Sequence, residues 1–260
     1  MYASWFKKID TDNHDEVVDV LTYLGHNTTG NFEAATASFQ AYSGVKVDGD
    51  FGPVTATALK SRYCACPDIL PAGAPSKWGF NDLTVWHDMQ SLSDLDEVEL
   101  YMEALSMWSA VTPLTFTWWA QGNSAKVNIF AHARRIDGSG KILAWSELPP
   151  ANAGRNVQLE QRFDTSESWP RNLLLPTMAH ELGHALGLGH LQDPDALMYP
   201  YMNGTQKPAA PDIRAIQELY GSSGPDPKPP PPNNINIIGK YGSFVHEGYT
   251  YTLTQIREQP

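Results

Sequence analysis

The sequence predicts an α+β domain, a sheet covered by helices, preceded by a small unit of three short helices. Three observations carry this. Apolar residues recur at helical spacing before residue 60, strand-like alternation and a long helical stripe follow from residue 83, and a histidine-rich helix lies near residue 180. Residues 1–14 read as a loose lead-in. Val17, Val20, Leu21 and Leu24 form the first stripe, behind Asp15 and Glu16, which favour a helix start, and before Gly25, which ends it. Phe32, Ala35, Phe39 and Tyr42 form the second. Residues 47–53 read as a turn that sets Pro53 at the first position of a third helix. Asp48 and Asp50 could serve a calcium loop, but alternating Asp and Gly more often simply build a turn. Residues 69–77, with two prolines and one glycine, form an exposed linker. Beyond it, Leu83 to His87 alternate as a strand, and Leu95, Val98, Met102, Leu105 and Ser109 share one face of a long helix. Val127 to Phe130 form another strand.

Bulk properties bound the function. At 260 residues and 42% hydrophobic, the chain can bury one core of roughly 150 residues and a smaller one beside it. Net charge is 18 − 29 = −11, which disfavours nucleic acid and suits calcium. No apolar run approaches the ~20 residues needed to span a bilayer. The start, Met-Tyr-Ala-Ser-Trp-Phe-Lys-Lys, lacks the apolar stretch of a secretory signal, so either a signal has been removed or export does not use that route.

The decisive string is HELGHALGLGH, residues 180–190. Residues four apart share a helix face, so His180 and His184 can point ring nitrogens at one ion, with Glu181 beside the metal as general base. Gly187 lacks a Cβ and can end the helix in a left-handed turn, delivering His190 as the third ligand. Three protein ligands leave a fourth zinc position open, which lowers the pKa of a bound water towards about 7.

The string resembles the metzincin zinc-binding motif. Met198 in ALMYP matches the methionine turn, whose side chain forms an apolar floor beneath the imidazoles. Residues 107–116 and 213–221 narrow the resemblance to the matrixins, although Leu191 stands where that family usually has Ser or Thr. The resemblance implies a zinc endopeptidase over 78–221, with a twisted, mostly parallel sheet and three helices. Residues 1–68, through Phe39, Gln40, Gly44, the DGDFGP run and Thr55, resemble the peptidoglycan-binding-like fold that forms the matrixin propeptide. Cutting in the 69–77 linker would then activate the enzyme.

Arg62-Tyr63-Cys64-Ala65-Cys66-Pro67-Asp68 resembles the matrixin cysteine switch, with Cys64 as the thiolate that takes the fourth zinc position. Tyr63 separates the arginine from the cysteine, Ala65 replaces a glycine, and Cys66 has no counterpart in the family. A redox-active pair and two buried thiols are the other readings of Cys64 and Cys66; a disulfide between residues two apart would be strained. The resemblance also implies a calcium site built from Asp137, Asp164, Glu167 and the carbonyls of Gly138, Gly140 and Ile142, the alternative being ordinary surface acids. Trp145 and Arg162 replace ligands of the family's second, structural zinc, so one zinc is expected. His132 is set aside, with His14, His26, His87 and His246, as surface or hydrogen-bonded histidines.

By the same resemblance, Leu143 and Ala144 present backbone groups to an extended substrate, Pro200 and Tyr201 form the opposite wall, and an apolar pocket beside Pro176 and Met202 gives selectivity. Residues 222–232 are a proline-rich tether, and 233–260 a tail or the start of a truncated domain. The expectation is a secreted, monomeric, latent zinc endopeptidase acting on proteins or peptides. Two alternatives are a cell-wall- or glycan-targeted peptidase whose N-terminal module is a permanent binding domain, able to hold a cell-wall or matrix polymer, and a non-catalytic binder. The retained Glu181 argues against the latter.

Overall fold

The computed structural model describes residues 9–61, 63–69, 76–89, 92–93, 96–119, 127–136, 138–139 and 142–223, with the backbone of residues 235–238, 243–246 and 249–252. Helices α1 (His14–Tyr23), α2 (Phe32–Ser43) and α3 (Pro53–Lys60) come first. Asn13 and Asn31 cap the first two, each side chain accepting from an amide of the first turn that has no partner within the helix. Gly44 ends α2 at φ 70°, and Pro53 starts α3 without loss, because a first-turn N–H has no intrahelical partner anyway. Val17, Leu21, Leu24, Phe39 and Leu59 meet in a small core of their own. Beside it the buried amide of Gln40 donates to Asp48, Asp50 and Thr55 and accepts from Asp48 and Gly49. The Asp48 carboxylate thus serves the turn.

The larger unit contains strands β1 (Asp82–Asp88), β2 (Thr115–Trp119), β3 (Ile129–Arg134), β4 (Ala144–Ser146) and β5 (Leu159–Asp164), with helices α4 (Glu97–Ser109), α5 (Arg171–Ala185) and α6 (Ala210–Tyr220). This is the α+β arrangement the patterning predicts. The pairs β1–β2, β1–β3 and β3–β5 are parallel, whereas β4 joins β5 antiparallel. Among the described residues β4 lies at one end of the sheet, and β6 (Ile235–Ile238), from beyond the proline-rich stretch, lies at the other, parallel to β2. Strands β7 (Ser243–His246) and β8 (Tyr249–Thr252) form a separate hairpin. Two boundaries differ from the sequence reading. Helix α4 begins at Glu97 because the Asp96 side chain accepts from Glu99 N and caps it, Leu95 lying outside the described residues. Strand β3 starts at Ile129 because the amide of Asn128 is taken by Thr84.

Candidate metal centre

Helix α5 carries the site. His180 and His184, one turn apart, bring their Nε2 atoms to 3.1 Å. After Leu186 the chain turns at Gly187, φ +104°, where a Cβ would also strike the carbonyl of Ser76. It doubles back and sets the His190 ring 4.7 Å from that of His184 and 5.5 Å from that of His180. Nδ1 of His180 lies 2.7 Å from Leu197 O, and Nδ1 of His184 lies 2.8 Å from Leu188 O. A carbonyl can only accept, so both rings carry their proton on Nδ1 and keep the Nε2 lone pair for a metal.

The turn that supports His180 is itself braced. The buried carboxylate of Asp212, on α6, accepts from the amides of Leu197 and Met198 at 2.8 and 2.9 Å and from Ala209 N. Met198 is buried against Gly183, where a Cβ would run into its sulfur. The glycine between the two helical histidines thus makes room for the methionine.

The N-terminal segment completes the cluster. Cys64 Sγ lies 3.4 Å from His184 Nε2, and the sulfur and one nitrogen each of His180, His184 and His190 lie within 4.8 Å of one another. Zinc bond lengths place tetrahedral N···N and N···S edges at roughly 3.3 and 3.6 Å. The observed 3.1 and 3.4 Å fit that donor set. Burial, then the neighbouring Cys66, push the Cys64 thiol well above its usual pKa, and burial followed by the facing Cys64 does the same to Glu181. A bound dication would reverse both directions. Glu181 is fully buried beside the cluster.

Residues 63–65 occupy the groove expected for substrate. Leu143 N donates to Tyr63 O at 2.8 Å, Ala65 N to Ala144 O at 3.4 Å and Tyr63 N to Pro200 O at 3.5 Å, with Cys64 bridging Ala144 in parallel sense. The Tyr63 ring packs on His180, 5.1 Å between centroids, and its hydroxyl reaches Tyr199 O and His180 Nδ1, both at 2.9 Å. It also closes the pocket lined by Pro176, Thr177, Leu197 and Met202. Tyr201 lies beside Pro200, with its ring 5.4 Å from Tyr199.

Of the expected calcium ligands, Asp137 and Gly140 lie outside the described residues. Asp164 is buried, and its two oxygens accept from Gly138 N at 3.3 Å and Ser166 N at 2.7 Å; Glu167 N reaches the Asp164 carbonyl at 3.4 Å. Ile142 is buried nearby in sequence, ahead of Leu143. Where the second zinc would sit, Trp145 pairs with Arg162 across β4 and β5, and the guanidinium lies 5.4 Å from the indole ring centroid. Glu160 binds that guanidinium and faces His132. Arg162, Glu160 and His132 thus form one cluster.

Comparison with known proteins gives the family. The matrixin family model matches residues 77–221. The chain belongs to the matrixin family. It is 33% identical over 222 residues to matrix metalloproteinase-18 of Xenopus laevis, covering 78% of this chain and 46% of that protein. It is 34% identical over 222 residues to stromelysin-1 of Equus caballus (76% and 45%) and 34% identical over 215 residues to the neutrophil collagenase of Homo sapiens (75% and 44%). This matrixin therefore spans somewhat under half the length of these relatives. None of its described helices is long and apolar enough to cross a membrane.

Three residues in this matrixin escaped the sequence reading. Tyr63 reads only as an interruption between arginine and cysteine. Asp68 and His26 join each other and His190 across 42 and 122 positions. His26, set aside as an ordinary histidine, is buried in this network. No local spacing signals such contacts.

Proposed function

We propose that this matrixin is a latent zinc endopeptidase that hydrolyses peptide bonds in proteins, silenced by its own residues 63–66. One observation carries the reading: the Cys64 sulfur lies among the three histidine nitrogens, all within 4.8 Å. Three histidines leave a fourth position for water, and a thiolate there excludes it. When bound, zinc supplies Lewis acidity, polarising the peptide carbonyl and acidifying water. Glu181 takes the water proton and passes it to the leaving amine. Leu143, Ala144 and Pro200 offer backbone groups to an extended substrate, the same groups that residues 63–65 now use. A substrate and the docked segment therefore exclude one another.

Removing the segment is the natural activation step, and a cut between Asp68 and Trp78 would free it to dissociate. The far side of that linker is fixed, since Trp78 Nε1 donates to Ala185 O at 2.8 Å and its amide to Tyr220 Oη at 3.0 Å. One relative is named a matrix metalloproteinase and another a collagenase, which supports extracellular proteins as substrates. Calcium at Asp137, Asp164, Glu167 and the carbonyls of Gly138, Gly140 and Ile142 is part of the same proposal, as is a single zinc. The test compares casein digestion by the intact chain and after cutting and dilution, so that the freed segment leaves. Near-silence before the cut and activity after it is expected. Equal rates would sink latency and favour an N-terminal module that permanently targets a wall or matrix polymer.

A further inference from the structure

The three histidines are not supported alike. His180 and His184 donate from Nδ1 to carbonyls of Leu197 and Leu188, within the matched catalytic region. His190 Nδ1 instead meets a carboxylate, Asp68 Oδ1, at 3.1 Å. Asp68 lies four residues after Cys64, outside the matched region. Its other oxygen is 3.1 Å from His26 Nε2, and His26 Nδ1 is 3.0 Å from Ser38 Oγ on α2. The side chains of His26, Asp68 and His190 are all 0% exposed. The backbone is anchored too: the amides of Asp68 and Ile69 both donate to Leu24 O at 3.0 Å, and Ile69 packs so closely on Gly25 that a Cβ there would overlap it. The three-helix unit thus aims one carboxylate at the far nitrogen of a metal-binding histidine.

We propose that Asp68 is a positioning residue for the metal centre: supplied by the inhibitory segment and held by His26, it fixes the ring and tautomer of His190, so that docking of the segment tightens zinc binding independently of Cys64. This rests on the zinc reading above. A carboxylate that accepts from the outer nitrogen of a ligand histidine raises its basicity and removes the freedom of the ring to turn, and losing such a partner typically weakens metal affinity 10–100-fold. A buried carboxylate held only for structure would need hydrogen-bond partners, but not the one nitrogen whose protonation decides whether His190 can bind a metal. When the segment leaves, the catalytic unit loses a ligand and an outer-shell carboxylate together.

The test uses the full chain carrying Cys64→Ser, so that the thiolate contributes nothing, and reads zinc affinity by competition with a coloured chelator. Adding Asp68→Ala should weaken zinc binding 10–100-fold, and Asp68→Asn, which keeps the shape and one oxygen to accept from His190 Nδ1 but removes the charge and turns its NH2 towards His26, should give a smaller loss of about 10-fold. His26→Gln should fall between Asp68→Asn and the parent. Tyr63→Phe in the same background removes the segment's hydrogen bond to His180 while keeping the ring contact, and should leave affinity within twofold, since Leu197 O still holds His180. Affinities of the Asp68 variants within twofold of the parent would overturn the proposal, whether or not the segment stays docked. So would an equal loss in Tyr63→Phe, which would assign the effect to docking in general. A parent chain that binds no zinc would instead refute the metal centre itself.

Discussion

The metal centre has two halves of different origin. His180, His184, Glu181 and the Met198 turn come from one helix and the turn it rests on, braced by Asp212 from α6. Cys64, Tyr63 and Asp68 come from a seven-residue stretch held at one end by Leu24 and His26, just after α1, and at the other by the cleft itself. The first half is fixed by sequence spacing of a few residues and backbone carbonyls. The second depends on contacts across more than a hundred positions. The first half sets which chemistry is possible, whereas the second sets when it happens, and substitutions in each should separate these outcomes.

The largest separation is expected at Glu181. Glu181→Ala should lower peptide hydrolysis by the cut enzyme by 10² to 10⁴, because general-base loss typically has that effect, while chelator competition finds zinc bound as before. An alanine enzyme that keeps more than about a hundredth of parent turnover would place the base elsewhere. On the other half the sign reverses. Cys64→Ala should raise activity of the intact chain by at least about 10-fold without a cut, measured on casein, because it removes the sulfur that excludes the catalytic water and leaves the segment holding the cleft by its other contacts alone. Cys66→Ala should do much less, since the Cys66 thiol donates to Ser146 O at 3.1 Å rather than meeting a histidine. Comparable activation by both would mean that general packing, not the thiolate, silences the enzyme.

A third prediction concerns the scaffold both halves share. His87 on β1 is buried between Tyr101 and Trp118, and burial pulls its pKa down to about 4, against weaker opposing contributions from Glu97 and Asp96. The unfolded chain takes up this proton near pH 6.5 and the folded chain only near 4. Stability from this residue is therefore full above pH 6.5 and falls as the pH drops towards 4, by at most about 3 kcal/mol. His87→Phe should flatten the acid side of a denaturant-midpoint profile over that window, and an unchanged slope would remove His87 as its cause. The smallest effect belongs to calcium. Chelation that spares zinc should lower the melting temperature of the intact chain by a few degrees, and Asp164→Ala should abolish that sensitivity. Elemental analysis should find one zinc, because Trp145 and Arg162 stack where a second would need ligands.

What could be read from sequence follows the same division. HELGHALGLGH was legible because helical periodicity turns four-residue spacing into one face, and Gly187 signals a left-handed turn whatever surrounds it. Pro53 and Gly25 marked helix boundaries for similarly local reasons. Cys64 was legible only through its resemblance, and the partners that dock it were not legible at all. Tyr63 on His180 and Asp68 between His26 and His190 are tertiary contacts, and the buried His26 carries the same letter as a surface histidine. The calcium loop stands between these cases, with Asp164 placed against Gly138 but its own oxygens already accepting two amides.

The double hold of Leu24 O on Asp68 and Ile69 has a kinetic consequence. Cleavage after Ile69 breaks a covalent bond but none of the hydrogen bonds that keep residues 63–69 on the cleft. It converts an internal contact into a complex of two chains, whose lifetime is then a dissociation rate. Nicked protein kept concentrated should stay largely silent and wake on dilution, and the released fragment added back should act as an inhibitor in trans.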